Sequence, residues 1–163
     1  MNLEFAYCTR FCGLRIVDNT SPTIMKGNII MILIGIDIGK LSHTFCILNQ
    51  LTGEEIVPPT NIENNKSGFD FLIDKVKCYK NEDMLFGIED TGHYHFALLK
   101  ALLSKNYTVA LINPVATDLT RKMQGGISKN DNLDSLTICD VISSNSRNCL
   151  LYTSPSPRDR SLS

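Results

Sequence analysis

Four carboxylates in this 163-residue sequence stand out by where they fall. Asp37 closes the apolar run Ile32-Leu33-Ile34-Gly35-Ile36, and Glu89 closes a second run, Met84 to Ile88. Asp131 and Asp134 are three residues apart at the head of a helical pattern, so they share one helix face. Carboxylates brought together raise one another's pKa unless a cation neutralises them. Hard divalent cations take such oxygen ligands, and two of them can clamp the attacking and leaving oxygens of a phosphodiester exchange. Each acid alone has a plainer use. Asp37 ahead of Gly39 suits a turn, and acids in a first helical turn face the helix dipole favourably. A buried strand ending in Asp, another ending in Glu and a D-x-x-D helix start form a less accidental set, and the expectation is that Asp37, Glu89 and at least one of Asp131 and Asp134 share a cation.

Basic residues adjoin these acids. Arg121, Lys122 and Lys129, with Gln124-Gly125-Gly126 between them, read as a basic, flexible stretch leading into Asp131, and Lys40 follows Asp37 closely. A solvated loop explains them equally simply, but nucleic acid approaching the carboxylates needs neutralising charge there. His93 and His95 flank Tyr94 at a helix start, where they either touch a metal or phosphate or simply pack.

The elements that must position these residues follow from periodicity. Ile32 to Asp37 is nearly all apolar and β-branched, which suits a central strand buried on both faces. Thr44 to Asn49 and Glu54 to Val57 read as the next strands, with Leu51-Thr52-Gly53 as the turn and Pro58-Pro59 ending the third. Ser67 reads as the cap of a helix whose Phe69, Leu72, Ile73 and Val76 form one apolar stripe. Met84 to Ile88 is a fourth strand; Thr91 caps a helix to about Asn106; Tyr107 to Ile112 is a fifth strand. Asn113-Pro114 opens a further helix. The expected class is α/β, order βββαβαβα, with a last helix from about Asp131 to Ser143.

Composition sets bounds. With 43% hydrophobic and 20% charged residues the chain has the make-up of one globular domain. A formal charge of -1 supplies no global field for a polyanion, so DNA binding needs a local patch, metal ions or further protein. Six scattered cysteines without paired spacing read as cytoplasmic thiols, and Cys8 and Cys12 have no second ligand pair for zinc. The longest apolar run, Ile29 to Ile36, is far short of the roughly 20 residues of a membrane span.

The ends differ from the middle. Residues 1–30 lack sustained period and read as a non-native or flexible leader, with the native start at Met25 or Met31. Residues 148–163 are expected to be disordered and artefactual. From Cys149 onward they resemble a shifted-frame translation of a sequencing adapter, which would place the continuation of the natural protein after Arg147.

The segments Ile34-Gly35-Ile36-Asp37-Ile38-Gly39-Lys40, Asn64 to Phe69, Gly87 to Tyr94, Ala110 to Pro114 and Lys129 to Ser135 resemble, in order and spacing, the DEDD transposases of the insertion sequence one-ten family. The resemblance covers roughly residues 31–147. It implies an RNase H-like domain similar to the RuvC Holliday-junction resolvase, with Asp37, Glu89, Asp131 and Asp134 as a tetrad binding magnesium or manganese. It further implies a DNA transposase or recombinase acting in the bacterial cytoplasm at the nucleoid, a guide RNA encoded by the element, and a homo-oligomer when full length. In that family the tetrad works with a serine from a second domain. No residue here matches that serine's motif, so the chain is expected to hold half a catalytic site. Three positions depart from the family: Asp90 replaces a small residue beside Glu89, and Asn130 and Ser135 replace the commoner Thr and Ala. Two other readings stay open. Gly35 to Lys40 also resembles the first phosphate loop of actin- and sugar-kinase-type ATP-binding domains, though no second phosphate loop or adenosine site is visible. Alternatively, the chain is a non-catalytic fragment that binds nucleic acid or a full-length transposase.

Overall fold

The structure, a computed structural model, describes residues 31–80, 82–125, 131–144 and 149–152, with backbone alone for 131–133 and 149–152. Its strands are β1 (Met31–Ile38), β2 (Ser42–Asn49), β3 (Glu55–Glu63), β4 (Asp83–Glu89), β5 (Thr108–Ile112) and β6 (Cys149–Tyr152). The helices are α1 (Lys66–Val76), α2 (Phe96–Ser104), α3 (Pro114–Met123) and α4 (Asp131–Ser143). One mixed sheet runs β3-β2-β1-β4-β5-β6, with β1, β4 and β5 mutually parallel and the other pairings antiparallel. The order βββαβαβα and the last helix at Asp131 hold; β6 is added at the edge.

Alternation along the strands sorts the core into two layers. Ile32, Ile34, Ile36 and Ile38 of β1 pack with Phe69, Leu72, Ile73 and Val76 of α1 and Leu98, Leu99 and Leu102 of α2. Leu33 faces the other way, with Leu85, Ala116 of α3, and Ile138, Cys139, Val141 and Ile142 of α4. A strand covered on both faces cannot afford polar residues in its interior, so the charges of β1 and β4 appear at their ends.

The α4 face is opened by a row of small residues. Register places Cys46, Gly35, Gly87 and Ala110 side by side across β2, β1, β4 and β5. A Cβ on Gly35 would stand 2.1 Å from Ser135 O and 2.8 Å from Cys139 Sγ, and one on Gly87 would stand 2.8 Å from Ile138 Cγ2. The missing side chains let α4 lie directly on the sheet. The Cys46 and Cys139 thiols, 3.6 Å apart and buried, mark the same contact. Among the described residues Cys46, Cys78 and Cys139 are free thiols, and no described helix is long and apolar enough to cross a membrane.

Several boundaries differ from expectation. β3 does not stop at Val57; it runs through Pro58-Pro59 to Glu63. Its register shifts at this point, between the pairs Ile47↔Val57 and Phe45↔Thr60, and β3 is an edge strand, where prolines without an N–H are tolerated. The cap of α1 is Asn65, not Ser67: its backbone is extended and its side chain accepts from Gly68 N at 3.0 Å. Thr91 does not cap α2 either, because Gly92 at φ +73 and a turn delay the helix until Phe96. Arg121 and Lys122 lie in the last turn of α3 rather than in a flexible stretch. Disorder from residue 148 is corrected at Cys149–Tyr152, whose backbone pairs with β5 from Ile112↔Cys149 to Val109↔Tyr152. This pairing satisfies an edge of β5 that would otherwise stay open. The leader 1–30, the tail 153–163 and Lys129 and Asn130 lie outside the described residues.

Candidate active site

β1 and β4 are neighbours in parallel register, with Ile36↔Ile88 the last matched pair. Asp37 and Glu89 are the next residue on each, so they stand side by side at the carboxyl ends of the two central strands. Both are two residues beyond a glycine of the small-residue row, about 6.7 Å along the strand. The period of two therefore turns them to the α4 face. Both are half-buried. Thr44 of β2, buried and opposite Asp37 in register, extends the row.

The head of α4 covers this part of the sheet, since Ser135 O sits over Gly35. Asp131 begins the helix, and its side chain lies outside the described residues. Asp134, one turn on, is only 5% exposed. A carboxylate this buried needs a positive partner, and Arg121 supplies it: Nη2 lies 2.7 Å from Asp134 Oδ1 and Nη1 2.7 Å from Asp118 Oδ1. Burial alone would lower the Arg121 pKa, but the carboxylates of Asp134 and Asp118 outweigh it and hold the guanidinium above its ordinary value. Glu89 Oε1 accepts a hydrogen bond from the buried Thr117 hydroxyl. Sequence reading missed Thr117; its only signal was a position one helical turn before Arg121.

The donor set fits a hard cation in its chemistry, being carboxylate oxygen throughout. Among the described residues, no group of three or more His, Cys, Asp or Glu is arranged to hold a metal ion. Asp37 and Glu89 are brought together; Asp134 is turned onto Arg121.

The remaining candidates are distributed around this centre. Lys40 is exposed in the loop after β1, where its carbonyl accepts from Asn64 Nδ2 at 3.2 Å, and Lys122 is exposed at the end of α3. Asp90, the family departure, is exposed with Oδ1 3.6 Å from His95 Nδ1, on the α2 side of the sheet and beyond hydrogen-bond distance. His95 is 2% exposed at the start of α2 and packs on Phe96, while His93 is exposed against Tyr94. These placements suit packing for His95. Another histidine went unremarked in the sequence: His43, 1% exposed, stacks on Phe69, with the Asn64 side chain and the Ser42 and Gly39 backbone as its polar neighbours. Burial pushes its imidazole below the ordinary value.

Thermus thermophilus RuvC in complex with a Holliday junction substrate superposes with a TM-score of 0.52 and 11% identity, covering 74% of this chain and 99% of that one. A second Thermus thermophilus RuvC structure gives 0.50 and 11% with the same coverage. At this identity the likeness establishes the fold, an RNase H-like sheet. No curated protein matches the chain. The family model for DEDD transposases of the insertion sequence one-ten type, described as "Transposase", matches residues 34–163. That match decides against the kinase-type reading of Gly35 to Lys40, and the chain belongs to the DEDD transposases of the insertion sequence one-ten family.

Proposed function

We propose that this chain supplies the metal-binding half of a transposase centre, in which Asp37, Glu89, Asp131 and Asp134 hold magnesium or manganese for DNA strand cleavage and exchange. The observation that carries this reading is the adjacency of Asp37 and Glu89, each one residue past the matched pair Ile36↔Ile88 at the ends of neighbouring parallel strands, under a helix that begins with Asp131 and buries Asp134. A bound divalent cation would polarise the scissile phosphate and stabilise charge on the reacting oxygens. The chain's own residues would hold that cation, orient it and bring backbone phosphates to it. Exposed Lys40 and Lys122, together with Lys129, would contact those phosphates. Arg121 is engaged with two carboxylates and is available to phosphate only after leaving them.

Because no residue matches the family's serine motif, strand exchange requires that nucleophile from beyond these residues. The guide RNA, the homo-oligomer and a place at the nucleoid in the cytoplasm are carried over from the family resemblance. Branched DNA is the substrate class to test first, since the RuvC neighbour was solved with a Holliday junction. The test is fluorescence anisotropy of labelled branched DNA with and without manganese. Cation should strengthen binding by the unaltered chain, and Asp37→Asn or Glu89→Gln should abolish that gain. Binding indifferent to cation, or efficient strand exchange by this chain alone, would contradict the proposal.

A further inference from the structure

We infer that α3 is the positioning helix of the acidic centre: Thr117 fixes the Glu89 carboxylate, and Arg121 is a resident counter-cation of Asp134 that an incoming divalent ion displaces. The inference rests on the metal-site reading above and adds two residues and an order of events to it.

Thr117 and Arg121 are four residues apart, so one face of α3 presents both. The Thr117 hydroxyl reaches Glu89 Oε1 and also lies 2.8 Å from Pro114 O. It has one hydrogen to give, and a carboxylate is the stronger acceptor. The bond fixes the rotation of Glu89 at the strand end. One turn later, Arg121 bridges from α3 to α4 at Asp134.

Arg121 is not built as a finished structural bridge. Its side chain is 17% exposed, yet Nε is buried with no hydrogen-bond partner among the described residues. A guanidinium has five donor hydrogens, and a settled buried one uses them. Asp118, the second partner, is 62% exposed and already takes Nη1 at 2.7 Å. The guanidinium therefore has a carboxylate to retain when it swings outward. A divalent cation on Asp134 would carry two positive charges into contact with a third, which is strongly unfavourable at such separations in a poorly solvated site. Cation binding and the Arg121–Asp134 pair therefore oppose each other, and each satisfies the buried carboxylate in the absence of the other.

A competitor lowers apparent affinity, so its removal should raise it. Calorimetric titration of manganese into the DNA-free chain is the test. Arg121→Gln should bind about tenfold more tightly, on the scale of a largely desolvated charge pair, and show a larger manganese-induced rise in Tm. Thr117→Val should bind more weakly, and Thr117→Ser should recover. Gln124→Ala, which removes a further link among the described residues between the C-cap of α3 and α4 (Nε2 to Asp140 Oδ2, 2.7 Å), should not tighten binding. Should Arg121→Gln fail to fold, the Nε–H resonance of Arg121 in the unaltered chain should move on adding magnesium. An unmoved resonance, or Arg121→Gln affinity equal to or below the parent while Asp37→Asn still abolishes binding, overturns the exchange and leaves the metal site standing. Manganese binding indifferent to both Asp37→Asn and Glu89→Gln overturns the site and this inference together.

Discussion

Replacing Gly35 with alanine should be far more damaging than replacing Gly87, although the two are register partners in the same row. The Gly35 methyl would stand 2.1 Å from Ser135 O, a backbone atom that no rotamer can move. Ordinary contact at about 3.5 Å requires α4 to withdraw by roughly 1.4 Å, and a gap of that size forfeits about half or more of the attraction across it. The interface so loosened includes Ile138, Cys139, Val141 and Ile142, each at most 5% exposed. The cost should be about 3 kcal/mol or more, at the top of the overpacking range, even after alanine's gain of about 0.5–1 kcal/mol in chain entropy. At Gly87 the nearest atoms are the Ile138 and Ile142 Cγ2 methyls at 2.8 and 3.0 Å, which β-branching holds in place, so the withdrawal needed is about half as large, roughly 0.7 Å. About 1 kcal/mol is expected there. Urea unfolding followed by circular dichroism measures both, with the slope checked for constancy. Equal losses, or a milder Gly35→Ala, would show that α4 does not lie where its close approach places it.

Acid should destabilise the fold through His43. Its folded pKa lies below the ordinary 6.5, so the unfolded chain binds the proton more readily, and stability present above that value is lost as pH falls through it towards the folded pKa. His43→Phe should flatten the stability profile between about pH 7 and pH 5 relative to the parent, and parallel profiles would refute this. Asp134→Asn should cost about 2 kcal/mol in chelator, less than for a fully buried pair because Arg121 keeps some exposure and its bond to Asp118; unchanged urea midpoints would show the ion pair to be idle.

Much of the frame was legible because it follows from local period. The run Ile32 to Asp37 announces a doubly buried strand whose charge can only sit at its end, and Glu89 repeats the device; their adjacency then needs only β1 and β4 to be neighbours. The pairing of Asn113 with Pro114 was also readable, and Asn113 Oδ1 does accept from Val115 N at 2.9 Å. What escaped depends on register or on contacts between helices. The row Cys46, Gly35, Gly87 and Ala110 exists only once four strands are aligned, and it sets how closely α4 lies on the sheet. The pairing of Arg121 with Asp134 crosses the Gly125-Gly126 connection, so a basic helical turn read as a loose stretch aimed at phosphate. Local cues also misplaced two helix starts: Ser67 and Thr91 are good capping types, but Asn65 already caps the first helix and Gly92 interposes a turn before the second. Pro58-Pro59 read as a stop because edge position is not visible from within a strand.

On the proposed function, one divalent cation is held between the ends of β1 and β4 and the head of α4. Iron-directed cleavage measures this most directly: ferrous ion replaces magnesium, and ascorbate with peroxide cuts the backbone beside wherever the ion resides. Cuts should cluster near Asp37, Glu89 and Asp131 to Asp134, be suppressed by excess magnesium and be absent in Asp37→Asn. Cuts elsewhere, or a pattern unchanged by magnesium and by Asp37→Asn, would contradict that placement of the ion.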